Sequence, residues 1–194
     1  MEINQINIAT ITELEECIST IVLGFSSDPV VRWIYPNPLD YLENFPLLVK
    51  AFGGKAFEQG TVYYTDQFLA VSIWLPPGVY PDEEEIVTLV EKSVPENRHK
   101  DVFPVFEQIS QYHPEEPHWY LPFIGTDPNQ QGRGYGSTLL NHTLFICDKD
   151  KKLAYLEATS ERSARLFERH GFVVLGTIQQ STSPLIVPMQ RSPQ

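Results

Sequence analysis

"DPNQQGRGYGSTLL", residues 127–140, places glycines at 132, 134 and 136, directly ahead of a run with helical spacing. Glycine loses more backbone freedom on ordering than any other residue, so three of them at a helix start need a compensating reason. A bare turn that reverses the chain after a strand is one reading. A dinucleotide-binding loop is a second, but it requires G-x-G-x-x-G after an early strand, and Ser137 stands where the last glycine belongs. A Walker loop ends in Gly-Lys-Ser/Thr, and "GYGSTL" has no lysine. The remaining reading is an anion cradle. Alternate glycines let successive backbone N–H groups face one concavity without Cβ atoms in the way, and a helix N-terminus adds the positive end of its dipole. Gln131 offers an amide at the entrance and Arg133 a charge.

Outward from this stretch the chain reads as alternating elements. "HWYLPFIGT" before it is an apolar strand, and "GSTLLNHTLFICDKDK" after it a helix. "LAYLEAT" is a buried strand, "SERSARLFERH" a helix stopped by Gly171, and "FVVLGTIQQ" and "PLIVPMQR" are two closing strands. Towards the N-terminus, "INIATI" is a short strand, and Thr12 with Glu15 predicts a capping box for "ELEECISTIVLGF". "LDYLENFPLLVKAFGGKAFEQG" is helical up to Gly60. "TVYYTD" and "FLAVSIWL" make a hairpin turning near Asp66-Gln67. "DEEEIVTLVEKSV" carries acids at a helix head, where the dipole favours them, and "VFPVFEQISQY" is helical. This mixed order argues for one α+β domain on a mostly antiparallel sheet.

Composition narrows the function. With 42% hydrophobic residues in 194, the chain has enough material for a core of its own. A net charge of −11 repels phosphate backbones, so no nucleic acid is expected as a partner, and an amine-bearing small molecule is mildly favoured. No apolar run approaches the ~20 residues that span a bilayer, and the N-terminus lacks the basic start of a signal peptide, so a soluble, cytoplasmic protein without membrane association is expected. Cys17 and Cys147 have no metal-ligand spacing; Cys147 reads as a buried thiol, and no metal site is expected.

The hexapeptide Gln131-Gly132-Arg133-Gly134-Tyr135-Gly136 resembles the Q/R-x-x-G-x-G/A motif of the GNAT family of N-acetyltransferases, which binds the pyrophosphate of acetyl-CoA. The context agrees: "HWYLPFIGTDPNQQGRGYGSTLL" is similar to the family's strand 4, loop and long helix, and "LEATSERSARLFERHGF" to its strand 5 and following helix. The likeness covers residues 118–191 well and is strongest to the branch containing puromycin N-acetyltransferase. It implies a sheet of about six to seven strands, splayed between strands 4 and 5 and flanked by helices. It also implies one domain over 1–194, with an acceptor-site half at about 1–117 and an acetyl-CoA-binding half at about 118–194. The implied activity is acetyl transfer from acetyl-CoA to a small-molecule amine by direct attack on the thioester. The alternatives are a non-catalytic acyl-CoA sensor or a peptide acceptor. Dimers are frequent in the family, so a homodimer is an open expectation.

By that resemblance the strand backbone at Ile124, Gly125 and Thr126 pairs with the pantetheine arm, with a bulge beside Gly125. Amides from Gly132 to Gly136 meet the pyrophosphate. Ser137 and Thr138 either add hydroxyls to it or simply cap the helix. The family's leaving-group tyrosine is replaced here by Phe167, which has no proton to give, and its frequent asparagine by Ser160. Ser160 or Ser163 could contact the pantetheine arm, and Tyr155 or a water could donate instead. For the base, the residues themselves offer His118, with an ordinary pKa near ~6.5, and Glu157 inside an apolar strand, where burial raises a carboxyl. His113 lies in a proline-rich loop. Arg162, Arg165 and Arg169 either approach the adenosine 3′-phosphate or form a solvated face. Asp28 is a candidate to orient an ammonium group, and Trp33, Tyr35 and Trp74 are candidates for the acceptor wall or for the core.

Overall fold

The computed structural model describes residues 5–194. Strands β1 (Ile6–Ile8), β2 (Val62–Thr65), β3 (Ala70–Leu75), β4 (Trp119–Thr126), β5 (Ala154–Ala158), β6 (Val173–Val174) and β7 (Val187–Arg191) form one sheet in the order β1-β2-β3-β4-β5-β7-β6. Neighbours are antiparallel except β4 and β5, which run parallel. The α+β class and the mostly antiparallel seven-stranded sheet match the expectation from sequence.

Helices cover both faces because the strands are apolar on both. On one side lie α1 (Leu14–Gly24), α2 (Pro29–Ile34), α3 (Pro38–Gly53), α4 (Lys55–Gln59), α5 (Glu83–Ser93) and α6 (Glu96–Tyr112), packed around Val71, Ile73 and Leu75. On the other, α7 (Tyr135–Asp150) and α8 (Glu161–Glu168) cover Ala70, Trp74, Leu156 and Ala158. Helix ends follow local chemistry: Asp28 and Asn37 cap α2 and α3 ahead of a proline, Asp82 caps α5, and Gly60 closes α4 at φ 65°. The capping box at α1 lies two residues earlier than predicted. Thr10 donates its N–H to Glu13 at 2.8 Å and opens a short 3₁₀ turn, so Thr12 and Glu15 fall inside the helical segment. "FVVLGTIQQ" also departs from prediction. Only Val173–Val174 pair as a strand, at the edge of the sheet, followed by an isolated bridge from Ile178 to Ile186.

Two features of β4 set up the site. Tyr120 and Phe123 both face the six-helix side although they are three apart, which a period of two forbids without an extra residue. The register supplies it: Ile73 pairs with Phe123 but Leu75 with Tyr120, so a bulge falls at Leu121-Pro122. Pro122 has no N–H for the ladder, which is why the irregularity sits there and not beside Gly125. Gly125 pairs regularly with Val71 and serves close packing instead. A Cβ on it would stand 3.1 Å from Ile21 Cδ1, 3.2 Å from Ile21 Cα and 3.4 Å from the Thr20 carbonyl oxygen, while a Cβ on Gly24 would meet Gly125 Cα at 3.0 Å. Gly125→Ala is therefore expected to cost about 1–3 kcal/mol, read as a lower urea midpoint at unchanged slope.

The C-terminal strand is tied to α7 by charge. Arg191, nearly buried, grips Asp148 in a fork at 2.7 and 2.9 Å, and the Gln194 N–H adds a third bond at 2.8 Å. The Arg191 hydrogen bond, with help from the Gln194 amide, holds the Asp148 carboxyl below its ordinary value. A depressed carboxyl contributes stability above its unfolded pKa of about 4 and loses it as pH falls through the native value. Asp148→Asn should thus cost about 1–3 kcal/mol at pH 7, and its difference from wild type should close towards pH 2 in urea melts.

Candidate active site

β4 and β5 pair only at Trp119–Ala154 and Tyr120–Tyr155, and past those residues they diverge. The gap opens into a cleft of about 590 Å³ lined by Ile124, Gly125, Thr126, residues 130–132 and 134–137, and one face of α8. A second cavity of about 140 Å³ adjoins it, sharing Phe25, Ile124, Thr159 and Ser163 with the cleft.

The glycine stretch forms the cleft's far wall. Gly132 and Gly134 adopt φ of 78° and 92°, the left-handed region, and a Cβ on either would meet nothing within 4 Å. Their requirement is conformational. Gly136 lies inside α7 at an ordinary φ, with Leu166 Cδ2 at 4.0 Å from its would-be Cβ, so it serves space alone. Gly134 is the N-cap and offers no side-chain bond. As a result the N–H groups of Gly132, Gly134, Tyr135, Gly136 and Ser137 have no acceptor among the described residues. Five unpaired donors at the positive end of a sixteen-residue helix fit a pyrophosphate. Gln131 and Ser137 also line the cleft, and so do Arg162 and Arg169 from α8. Arg165 turns away to pair with Glu161 at 3.1 Å on the surface. Two expectations shift here. Arg133 is exposed and outside the lining, and the Thr138 hydroxyl donates back to the Gly134 carbonyl at 3.2 Å. Ser160 caps α8 and exchanges hydrogen bonds with Ser163 through hydroxyls and backbone, yet both remain on the cleft wall.

At the narrow end, Glu157 projects from β5 towards the six-helix side, in the wall of the smaller cavity. Tyr120 donates its hydroxyl to Glu157 Oε2 at 3.0 Å. His113, from the end of α6, brings Nε2 to 3.3 Å of Oε1, inside ion-pair range though without hydrogen-bond alignment. Glu157 is nearly buried, with a side-chain exposure of 10%, against 27% for His113. His113 and Tyr120 carry weight that the sequence did not give them. A loop histidine after a proline-broken helix has no periodic signal, and Tyr120 looks like any strand aromatic.

The other candidates separate clearly. Tyr155 is fully buried behind Glu157, lines neither cavity, and its hydroxyl has no hydrogen-bond partner. Burial and the Glu157 charge push its phenol well up. His118 is also outside both cavities; its Nδ1 meets the Glu116 carbonyl at 2.8 Å, and burial lowers its pKa. Phe167 lines the smaller cavity and packs against Phe172 with ring centroids 5.8 Å apart. Asp28 lines the cleft, but Oδ1 accepts from Val30 and Val31 N–H at 3.0 Å and Oδ2 from the Thr159 hydroxyl, so it acts as the α2 cap and a tie across the gap. Burial raises its carboxyl. Trp33, Tyr35 and Trp74 line neither cavity. Trp33 bonds Thr182 at 3.2 Å, Tyr35 contacts Ser93 at 2.9 Å in the core, and Trp74 is buried in the cluster that packs against α7. Cys17 and Cys147 are buried, and burial pushes both thiols up to about 12.

Comparison with known proteins bears on this geometry. The acetyltransferase (GNAT) family model matches residues 63–172, more than half of the chain. The chain belongs to the GNAT acetyltransferase family. It is 23% identical over 196 aligned residues to an uncharacterised N-acetyltransferase of Schizosaccharomyces pombe, covering 92% of this chain and 78% of that one. A Corynebacterium glutamicum structure described as histone acetyltransferase HPA2 and related acetyltransferase is similar at TM-score 0.69 and 27% identity, over 98% and 97% of the two chains. Arylalkylamine N-acetyltransferase 2 of Aedes aegypti shares the fold at TM-score 0.68 and 11% identity, over 98% and 99%. The GNAT assignment accounts for the splay: a sheet that parts between two parallel strands leaves an open β4 edge beside a helix N-terminus. No helix among the described residues is long and apolar enough to cross a membrane, and no cluster of ligating side chains there could hold a metal ion.

Proposed function

We propose that this GNAT protein transfers the acetyl group of acetyl-CoA to the amine of a small molecule. The observation that carries the reading is continuity: five unpaired backbone donors at the head of α7 lie in the same cleft that runs through the β4–β5 gap to a nearly buried carboxylate. Bound acetyl-CoA would supply an acetyl thioester and a CoA thiolate as leaving group. Gly132, Gly134 and the first turn of α7 hold its pyrophosphate, Arg162 and Arg169 add charge at the outer end, and the unpaired edge of β4 from Ile124 to Thr126 lies along the arm.

Glu157 does the proton work. An incoming amine arrives as an ammonium ion and must lose a proton before it can attack. The carboxylate receives the ammonium and accepts that proton, with Tyr120 fixing its orientation through Oε2. His113 stands beside Oε1 at 3.3 Å. Phe167 leaves no side-chain acid at the usual leaving-group position, which favours the sensor as the second reading. Calorimetry with acetyl-CoA together with thiol release across an amine panel decides between them. Binding with turnover supports the enzyme, binding without turnover of any amine supports the sensor, and no binding removes both.

A further inference from the structure

The smaller cavity adjoins the reacting end, and its walls state what kind of body can follow an amine into it. Phe45 and Phe52 from α3, Phe106 from α6, Phe123 from β4 and Ile34 from α2 are among its lining residues. The rings brace one another: Phe123 meets Phe45 and Phe52 edge-on at centroid distances of 5.9 and 6.0 Å, and Phe52 stacks on Phe106 at 6.4 Å. Among the described residues Glu157 is the only carboxylate in this wall, and Tyr120, the polar ring there, already spends its hydroxyl on it. The volume, about 140 Å³, is below the roughly 300 Å³ at which pockets begin to hold drug-sized ligands.

Resting on the acetyltransferase reading above, we infer that the acceptor is a small monoamine with an apolar body. Its ammonium is held by Glu157 and its ring or short alkyl chain by the phenylalanine walls. One carboxylate compensates one charge. A diamine or polyamine of similar length would carry its second ammonium into the Phe52–Phe106 region with no counter-ion. An uncompensated charge there keeps a desolvation cost that the ring faces offset only in part. Phe52 and Phe106 are half-buried and stand on the helix side of the cavity, so they decide what the far end of the acceptor meets.

The test compares kcat/KM for 2-phenylethylamine, hexylamine, putrescine, spermidine and a lysine-bearing peptide at saturating acetyl-CoA. The two monoamines are expected to exceed putrescine, spermidine and the peptide by tenfold or more. A smaller margin, or a preference for any of the latter three, overturns the inference. Phe106→Glu, which adds a second carboxylate at the far end, should narrow the monoamine-to-putrescine ratio at least tenfold by raising putrescine turnover. An unchanged ratio in a folded variant places discrimination elsewhere and also overturns it. Should Phe106→Glu not fold, Phe52→Glu applies the same charge from α3. Calorimetric titration of the amines into the CoA-saturated protein separates the two layers of the argument. Selective binding of 2-phenylethylamine over putrescine without turnover keeps the seating and removes the activity, and absence of both removes each.

Discussion

A Gly134→Glu variant should fold and yet lose acetyl-CoA binding by about 100-fold or more, equivalent to about 2.7 kcal/mol. Two effects add. Gly134 sits at φ 92°, where an L side chain costs roughly 1–2 kcal/mol and pulls the turn towards another conformation, misaligning the N–H groups on either side. The new carboxylate also places a negative charge at a helix N-terminus that is proposed to receive one from the ligand. Gly136→Ala is the internal control. That residue has ordinary helical backbone and 4.0 Å to its nearest would-be neighbour, so binding should stay within a few-fold of wild type. Equal, large losses in both variants would mean that packing, not backbone donation, governs the loop. Full binding by Gly134→Glu in calorimetry would remove the pyrophosphate assignment altogether.

Glu157→Gln should lower kcat by about 10²–10⁴-fold while leaving the affinity for acetyl-CoA unchanged. Gln keeps an acceptor for the Tyr120 hydroxyl and nearly the same shape, so the cavity wall survives. What it loses is the negative charge that attracts an ammonium and the capacity to take its proton. Both kcat and KM for the amine should therefore worsen, whereas thermal stability should hold. Turnover within threefold of wild type would transfer the proton step to another group, with His113, 3.3 Å away and partly exposed, as the next to test.

Much of this site could be read along the chain. The alternate glycines, the following helix and the pair of strands around it are local features, and local steric rules shape them: φ near 80–90°, as at Gly132 and Gly134, strongly favours glycine, and a helix N-terminus carries its dipole in any fold. The same holds for Glu157, because a lone acid in "YLEAT" needs a partner whatever the tertiary context. Aromatic residues resisted such reading. Trp33, Tyr35 and Trp74 are as large and apolar as Phe45, Phe52 and Phe123, and no local pattern distinguishes a ring that fills the core from one that walls a cavity.

The sequence by itself determined the class of sheet, from the order of its elements, and the glycine-rich turn at the head of a helix, from residues within a few positions of one another. The tertiary structure alone decided which groups surround Glu157. His113 reaches Glu157 from the end of α6, 44 positions away along the sequence, and Tyr120 from a strand 37 away. Only the bulge at Pro122 and the parallel pairing of β4 with β5 bring them to one place. It likewise gave Gly125, on the cleft wall, a packing role against Ile21, and made Asp28 a helix cap tied to Thr159. Contacts of that kind depend on strand register and helix approach. Those are properties of the whole packed sheet, and no short stretch of sequence encodes them.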